Sequence, residues 1–353
     1  MKVGILTYHR SNNVGAVLQN YALQQVLNKY GVENETIDYK CDFIEQNNRI
    51  LFGKNLKANL KKLIELNTLI KREHKFKEFR KKYLLISPKV YSQSSIQNSN
   101  EIYDLFISGS DQVWNMKLNR EDYNYFLKFV KDDSKKIAYA ASFGYSVIPN
   151  EYEENTLNYL NKFKYISVRE KQSKELLANY NIKSDVVLDP TLLLDSNKWE
   201  KIIKNLNIKK KFIFIYMVAY TPEILNDAIK YGKKNNYDVY CMHYNYKNFR
   251  SVSPDEFLYY IKNAEIVFCS SYHAVCFSIL FKKKFFVALD ASVNNNNSRI
   301  NTLLSNLDLN ERIFEKNKEY NDEIDYRNTF IKLEKLKDDS FKFIEKTIME
   351  RNA

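Results

Sequence analysis

Residues whose side chains or backbone amides could bind an anion or move a proton follow four apolar segments. The sequence predicts these segments to be strands, at residues 2–8, 104–108, 165–168 and 265–269. In chain order, these candidates are Asn13, Gly15, Ser110, Asp111, Gln112, Arg169, Ser270, Ser271 and His273. Because ligands of open α/β sheets bind beyond the carboxyl ends of the strands, we expect the candidates to line a site. Helix-start amides, a carboxylate, a guanidinium and an imidazole would suit a small anion beside a sugar hydroxyl.

Each candidate also has a purely structural interpretation. Asn13 and Gly15 could serve only to shape the turn between a strand and a helix. Asp111 could be a helix N-cap. Arg169 could pair with Glu170, and His273 could be a buried core histidine. For the histidines at positions 9, 74 and 243 we favour the structural interpretation.

Glycine and cysteine usage narrows the choice of function. The sequence has seven glycines, and no two are spaced as a dinucleotide fingerprint or a P-loop requires, so both motifs are excluded. Four cysteines without C-x-x-C spacing favour a reducing cytoplasm. Cys269, His273 and Cys276 lie close together, but apolar segments usually bury cysteine as a small hydrophobe. We therefore predict no metal site at these residues.

Strand-like and helix-like segments alternate along the chain, which predicts parallel sheets covered by helices. We predict an α/β protein of two Rossmann-like domains facing across a cleft, at residues 1–195 and 196–320. A helical tail, 321–353, is expected to pack back on the first domain. The N-terminal segment is predicted to be a strand, not an export signal. The longest uncharged apolar run, Ile266–Phe281, is shorter than the roughly 20 residues of a membrane-spanning helix.

The net charge of +12 is concentrated in residues 54–82, an insertion in the first domain with eleven Lys or Arg and three Glu. Apolar residues recur there at helical spacing, at Leu56, Leu60, Leu63, Ile64 and Ile70, which predicts a basic amphipathic helix or helix pair. Three interpretations stay open: a solvated helix packed on the domain, contact with a membrane surface or an anionic acceptor, and nucleic-acid binding. No nucleic-acid-binding module accompanies the charge, so we predict no nucleic-acid partner.

Seven segments, in this order, resemble the polysaccharide pyruvyl transferases. They are ILTYHRSNNVGAVLQNYALQQVL, DLFISGSDQVWN, KIAYAASFG, ISVREKQSKELL, VVLDPTLLL, EIVFCSSYHAVCFSILFKKKFFVAL and SRINTLLSNLDLNERI. The resemblance runs from residue 1 to about residue 315. Many family members have Gly after the histidine, where this chain has Ala274. Alanine is small enough to let the helix N-terminus approach an anion.

The resemblance implies a fold like that of GT-B glycosyltransferases. From the cysteine usage we expect a cytoplasmic enzyme, and from the basic segment we expect it to act at the inner face of the membrane. The resemblance also implies transfer of a pyruvyl group from phosphoenolpyruvate to two hydroxyls of a saccharide, free or linked to a lipid diphosphate, with formation of a cyclic ketal and release of phosphate. We expect this reaction to need no metal ion and no organic cofactor. Arg169 and His273 would contact the donor, Asp111 would be a third catalytic residue, and Arg299 would bind substrate. The role of His273 as acid, base or hydrogen-bond donor stays open. The alternatives are a sugar-nucleotide-dependent glycosyltransferase and a non-catalytic protein that binds anionic glycans or membranes.

Overall fold

The computed structural model describes residues 1–44, 56–242, 251–290, 297–316, 320 and 323–349, without the side chains of residues 56–65 and 349. The chain forms two compact units. The first comprises Met1–Leu193 and Leu336–Ala353, and the second comprises Leu194–Lys335. His243 and most of the Asn-rich loop at 294–297 lie outside the described residues.

The first unit is built on a parallel sheet. Its strands are β1 (Lys2–Leu6), β2 (Glu33–Tyr39), β3 (Ile86–Tyr91), β4 (Leu105–Ser108), β5 (Lys136–Ala141), β6 (Tyr165–Val168) and β7 (Asp185–Val186). Their spatial order is β3-β2-β1-β4-β5-β6-β7, and every pair is parallel. Strand order reverses at β1 and β4, so the carboxyl ends of these two strands form the switch point at which open α/β sheets bind ligands.

Helices connect these strands. They are α1 (Val14–Lys29), α2 (Leu56–Tyr83), α3 (Met116–Asn119), α4 (Asn150–Leu160), α5 (Lys171–Ala178) and α6 (Pro190–Leu193). The sequence pattern predicts an amphipathic helix from Leu18 to Tyr30, but α1 begins four residues earlier, at Val14. The side chain of Asn13 accepts hydrogen bonds from the amides of Gly15 and Ala16, which caps the earlier turn.

The second unit has its own parallel sheet. Its elements are α7 (Ser196–Glu200), β8 (Phe212–Tyr216), α8 (Pro222–Lys234), β9 (Asp238–Met242), α9 (Pro254–Asn263), β10 (Ile266–Cys269), α10 (Tyr272–Leu280), β11 (Phe285–Val287) and α11 (Ser298–Asn306). The strand order is β11-β10-β8-β9. Order reverses at β8 and β10, and the loop that carries His273 follows β10. Two parallel α/β units confirm the predicted fold class.

The C-terminal helix α12 (Tyr326–Met349) is a single element that contributes to both units. Its second half packs on the first unit, where the Ser340 hydroxyl accepts from the Leu188 amide and Glu345 accepts from the Tyr30 hydroxyl. The observed boundaries differ from the predicted ones. The first unit ends at Leu193, the second extends to Lys335, and the tail that joins the first unit begins at Leu336.

The basic segment forms one long helix, α2, and its observed packing face differs from the predicted stripe. Ile70, which we placed on the apolar face, is 55% exposed, whereas Phe76 and Phe79 are buried. The side chains of the other predicted stripe residues lie outside the described set. The described half of α2 therefore packs on the first unit through aromatic residues beyond the predicted stripe. Throughout the described residues, no helix is long and apolar enough to cross a membrane.

Candidate active site

A buried ion cluster lies at the carboxyl edge of the first sheet. Arg169 follows β6, and its Nη1 donates to Asp189 Oδ2 at 2.8 Å while its Nη2 donates to Asp111 Oδ1 at 3.3 Å. The side chains of Arg169 and Asp189 are 0% exposed, and that of Asp111 is 15% exposed. Asp111 is thus the member of the cluster that reaches solvent. The hydrogen bond from the planar Arg169 guanidinium fixes the position of its carboxylate.

The backbone of Asp111 is strained in a way that favours a functional role. Its φ angle is +86°, a region that non-glycine residues rarely adopt. The strain is held by hydrogen bonds on both sides: the Ser142 amide donates to the Asp111 carbonyl, and the Gln112 amide donates to the Asp111 carboxylate. Strained residues of this kind concentrate at active sites and ligand clamps.

Asp189 is a member of this cluster that the sequence analysis missed. Its Oδ2 also accepts from the Ser110 hydroxyl at 2.9 Å, and its Oδ1 accepts from the amide and hydroxyl of Thr191. The residue directly precedes Pro190, the first residue of α6, and so occupies an N-cap position. Its place in the VVLDPTLLL segment was the available signal, but an aspartate before a proline is common at helix starts.

Ser110, Gln112 and Glu170 complete this edge of the sheet. The Ser110 carbonyl accepts from the Thr7 hydroxyl, and the Gln112 carbonyl accepts from the Tyr8 hydroxyl, which joins the ends of β1 and β4. Glu170, the alternative partner that we considered for Arg169, instead accepts from the hydroxyls of Ser142 and Ser173. Arg169 therefore forms its ion pairs with Asp111 and Asp189 and not with Glu170.

The loop after β1 ends at Asn13, the cap of α1, and Gly15 lies in the first turn of that helix. The loop also carries two basic residues, His9 and Arg10. His9 and Arg10 both contact the carboxylate of Asp38, at 3.0 and 2.7 Å. Burial opposes ionisation of Asp38, but hydrogen bonds from His9 and Arg10 and their charge lower its pKa to about 2. His9 is buried in these contacts, as its structural interpretation predicts.

The helix α2 contributes directly to this loop. Arg72 donates to the Asn12 carbonyl at 2.7 Å, and Arg80 donates to the Asn12 side chain at 3.2 Å. Two arginines of the basic segment thus hold the loop that leads into α1. This contact gives the described half of the basic helix a structural role in the first unit.

In the second unit, His273 is the second residue of α10 and is 7% exposed. Ser271 caps this helix and accepts weakly from the Ala274 amide at 3.5 Å. The hydroxyl of Ser270 accepts from the amides of Val218 and Ala219, so it joins the ends of β8 and β10.

Arg299, the remaining predicted binding residue, lies on α11, with its guanidinium carbon 5.9 Å from the centre of the Tyr272 ring. The Tyr272 ring in turn meets the His273 ring edge-on, with 5.4 Å between centres. These contacts link the arginine to the start of α10 within the second unit.

The described residues contain no group of three His, Cys, Asp or Glu suited to a metal ion. Burial raises the pKa of Cys269 to about 12, which keeps its thiol protonated.

The structure thus collects the predicted residues into two groups, one in each unit. Asn13, Gly15, Ser110, Asp111, Gln112 and Arg169 lie at the carboxyl edge of the first sheet, and Ser270, Ser271, His273 and Arg299 lie in the second unit. Most of the predicted hydroxyl and amide groups are engaged in local hydrogen bonds, whereas the Asp111 carboxylate reaches solvent.

Comparisons with known proteins give one family and several distant structural relatives. No curated protein matches the sequence. Among solved structures, the UDP-GlcNAc 2-epimerase of Neisseria meningitidis bound to UDP-GlcNAc is 12% identical, with 99% of this chain and 100% of that chain covered and a TM-score of 0.48. A heptosyltransferase of E. coli with ADP is 11% identical, with 95% and 100% covered and a TM-score of 0.42. A sequence model of the polysaccharide pyruvyl transferases matches residues 13–292, and the chain belongs to that family.

Proposed function

We propose that this protein transfers the pyruvyl group of phosphoenolpyruvate to two hydroxyls of a saccharide, forming a cyclic ketal and releasing phosphate. The strained Asp111, oriented by the Arg169–Asp189 pair at the sheet edge, is the observation that carries the proposal. It provides a carboxylate with a fixed position and partial access to solvent. Family membership supports the transferase class.

The reaction requires one proton to be delivered and two to be removed. C3 of the donor gains a proton as one acceptor hydroxyl adds to C2 and loses its own proton. A second hydroxyl then attacks C2, phosphate leaves with its bridging oxygen, and the proton of that hydroxyl is released. A histidine and a carboxylate are the side chains most often used for such transfers. We assign His273 and Asp111 to them.

The geometry supports an indirect role for Arg169. Its side chain is buried and its fork already bridges two carboxylates, so its charge is offset within the cluster. We therefore propose that it orders Asp111. The direct contact with the donor that the family resemblance implies stays a prediction.

The donor brings a carboxylate and a phosphate, which need positive charge or amide donors elsewhere. Arg299 and the amino end of α10, which begins at Tyr272 and is capped by Ser271, can supply both kinds of group. We propose that they bind the donor in the second unit. This assignment uses no metal ion and no organic cofactor.

A ligand panel tests the proposed function. Phosphoenolpyruvate at a hundred times its Kd should stabilise the protein by about 2.7 kcal/mol, visible as a rise in Tm. Phosphate should then be released only when a glycoside acceptor is added. A rise with nucleotide sugars and none with phosphoenolpyruvate would indicate a glycosyltransferase. Absence of both responses would indicate a non-catalytic binding protein.

We further propose that the acceptor is carried on a lipid diphosphate at the cytoplasmic membrane face and that α2 contacts that surface. Each basic residue close to an anionic surface contributes about 1 kcal/mol. Co-sedimentation with liposomes should therefore increase with anionic lipid and decrease with salt. Reversing the charges of Lys57, Lys61 and Lys62 should abolish it, whereas reversing Lys230, Lys233 and Lys234 on α8 should not. Equal effects of the two triple variants would contradict a specific role for α2.

A further inference from the structure

A basic cavity opens at the amino-terminal edge of the first sheet, away from the ion cluster. Its volume is about 940 Å³, within the range of small-molecule sites. Tyr165 begins β6 and lines the cavity, while Arg169 follows the carboxyl end of the same strand, about 13 Å away at the usual rise per residue. The cavity is therefore distinct from the candidate active site of this unit.

Four lysines and one aspartate give the cavity lining a formal charge of +3. These residues are Lys164, Lys174, Lys183, Lys346 and Asp185. Among the described residues, none of the four lysines forms an ion pair with a carboxylate. A concave surface lined by one sign of charge concentrates the field and attracts ligands of opposite charge.

Tyr165 organises two of these lysines. The ammonium of Lys164 lies 5.3 Å from the ring centre of Tyr165, and that of Lys346 lies 5.1 Å from it. One aromatic ring thus lies within reach of two cations from distant parts of the sequence. Two like charges at such a position favour a ligand with more than one negative group.

A polar group in the lining also lacks a partner. The hydroxyl of Ser184 is buried and has no hydrogen-bond partner within the part of the chain that the structure describes, which is a costly arrangement for a buried donor. The remaining lining includes apolar side chains, among them Leu160, Phe163 and Ile182. Charges, a hydroxyl and apolar surface in one cavity match the mixed chemistry of a saccharide that bears anionic groups.

We propose that this cavity binds an anionic glycan, as an accessory site that retains the saccharide chain on which the enzyme acts. The inference rests on the proposed function, because pyruvyl ketals add one carboxylate to each modified sugar unit. Lys164, Lys174, Lys183 and Lys346 meet the carboxylates. Rotation of the Ser184 side chain about its Cα–Cβ bond presents its hydroxyl to a sugar oxygen.

Binding of oligogalacturonate, a saccharide with one carboxylate per unit, tests the proposal by calorimetry at low salt. A neutral malto-oligosaccharide of equal length and inorganic phosphate serve as comparison ligands. We expect binding of the anionic saccharide alone, and we expect it to weaken as salt increases. Equal binding of the neutral saccharide, or no binding of either, would overturn the proposal; binding of phosphate alone would mean a simple anion site.

Two variants separate a binding site from a general surface charge. Lys164→Glu with Lys346→Glu should weaken oligogalacturonate binding at least about tenfold, since two favourable contacts become repulsive. The matched control reverses Lys89, whose ammonium lies 5.4 Å from the Tyr91 ring, together with the exposed Lys131. Both double variants change the net charge equally. A similar loss in the control would overturn the proposal.

Ser184→Ala provides an uncharged test. It should weaken saccharide binding several-fold while leaving Tm unchanged or raised, because it removes a buried hydroxyl that has no partner among the described residues. Unchanged saccharide binding would remove Ser184 from the site. Phosphate release from phosphoenolpyruvate with a monosaccharide acceptor is measured on the same variants and should stay at the wild-type rate. Failure of that reaction in the wild type, with binding intact, would refute the proposed function and leave the glycan site standing.

Discussion

Replacement of His273 by Gln is expected to lower turnover by about 10² to 10⁴-fold while donor binding is largely kept. Gln retains hydrogen-bonding capacity but cannot exchange a proton near neutral pH. His273 lies in the first turn of α10, and its side chain is largely buried, so the variant must also be shown to fold. Phosphate release measures turnover, and stabilisation by phosphoenolpyruvate measures donor binding.

His74→Gln is the matched control, because His74 is exposed on α2 and has no assigned role. It should leave turnover within about twofold of the wild type, as expected for a surface substitution. If His273→Gln is nearly as active as the wild type, proton transfer belongs to another group, and Asp111 is the next candidate. Loss of donor binding with unchanged kcat would instead assign His273 to the donor phosphate.

Local sequence signals located most of the sheet correctly. The strand at Tyr165–Val168 has the predicted bounds, and the strand predicted at residues 104–108 is observed at Leu105–Ser108. Such elements can be predicted from the sequence because apolar runs, caps and prolines act over a few residues. These elements therefore follow from short-range chemistry.

The strand β3 escaped prediction because its signal is weak. Its sequence, ISPKVY, contains Pro88 and an exposed Lys89, and only three of its six side chains are fully or partly buried. Among the described strands, β3 lies at the edge of the sheet, where a proline and a charge are tolerated because one side of an edge strand makes no ladder hydrogen bonds. Position in the sheet, which no local pattern encodes, decided its structure.

In the candidate site, too, local sequence pattern identified some residues, whereas contacts that depend on strand order were missed. The sequence placed Asp111 and Arg169 at strand ends, but it did not identify Asp189 as the second partner of the guanidinium. Asp189 follows β7, which neighbours β6 in the sheet, so the contact depends on strand order. The alternative of an Arg169–Glu170 pair relied on sequence proximity and was wrong, because Glu170 is engaged by two serines.

Replacement of Arg169 by Lys tests whether this side chain positions Asp111 or binds the donor. Lysine keeps the charge but cannot bridge two carboxylates, so Asp111 should lose its fixed orientation. If Arg169 positions Asp111, kcat should fall about a hundredfold, the usual cost of a small displacement of a catalytic group, and the donor Kd should stay unchanged. If Arg169 contacts the donor, the donor Kd should instead rise about ten- to a hundredfold, the loss expected for a charge-assisted hydrogen bond.

Stability measurements complete this test, because the cluster is buried. Arg169→Ala leaves two carboxylates without their shared cation and should lower the free energy of unfolding by about 3 to 5 kcal/mol, measured by denaturant titration. Arg312→Lys is the control for Arg169→Lys: Arg312 is also buried and pairs with Glu311, but it lies outside the proposed site. The Arg312→Lys variant should have a lower free energy of unfolding and the same turnover as the wild type. If Arg169→Lys behaves in the same way, Arg169 serves the fold alone, and Asp111 does not depend on it for catalysis.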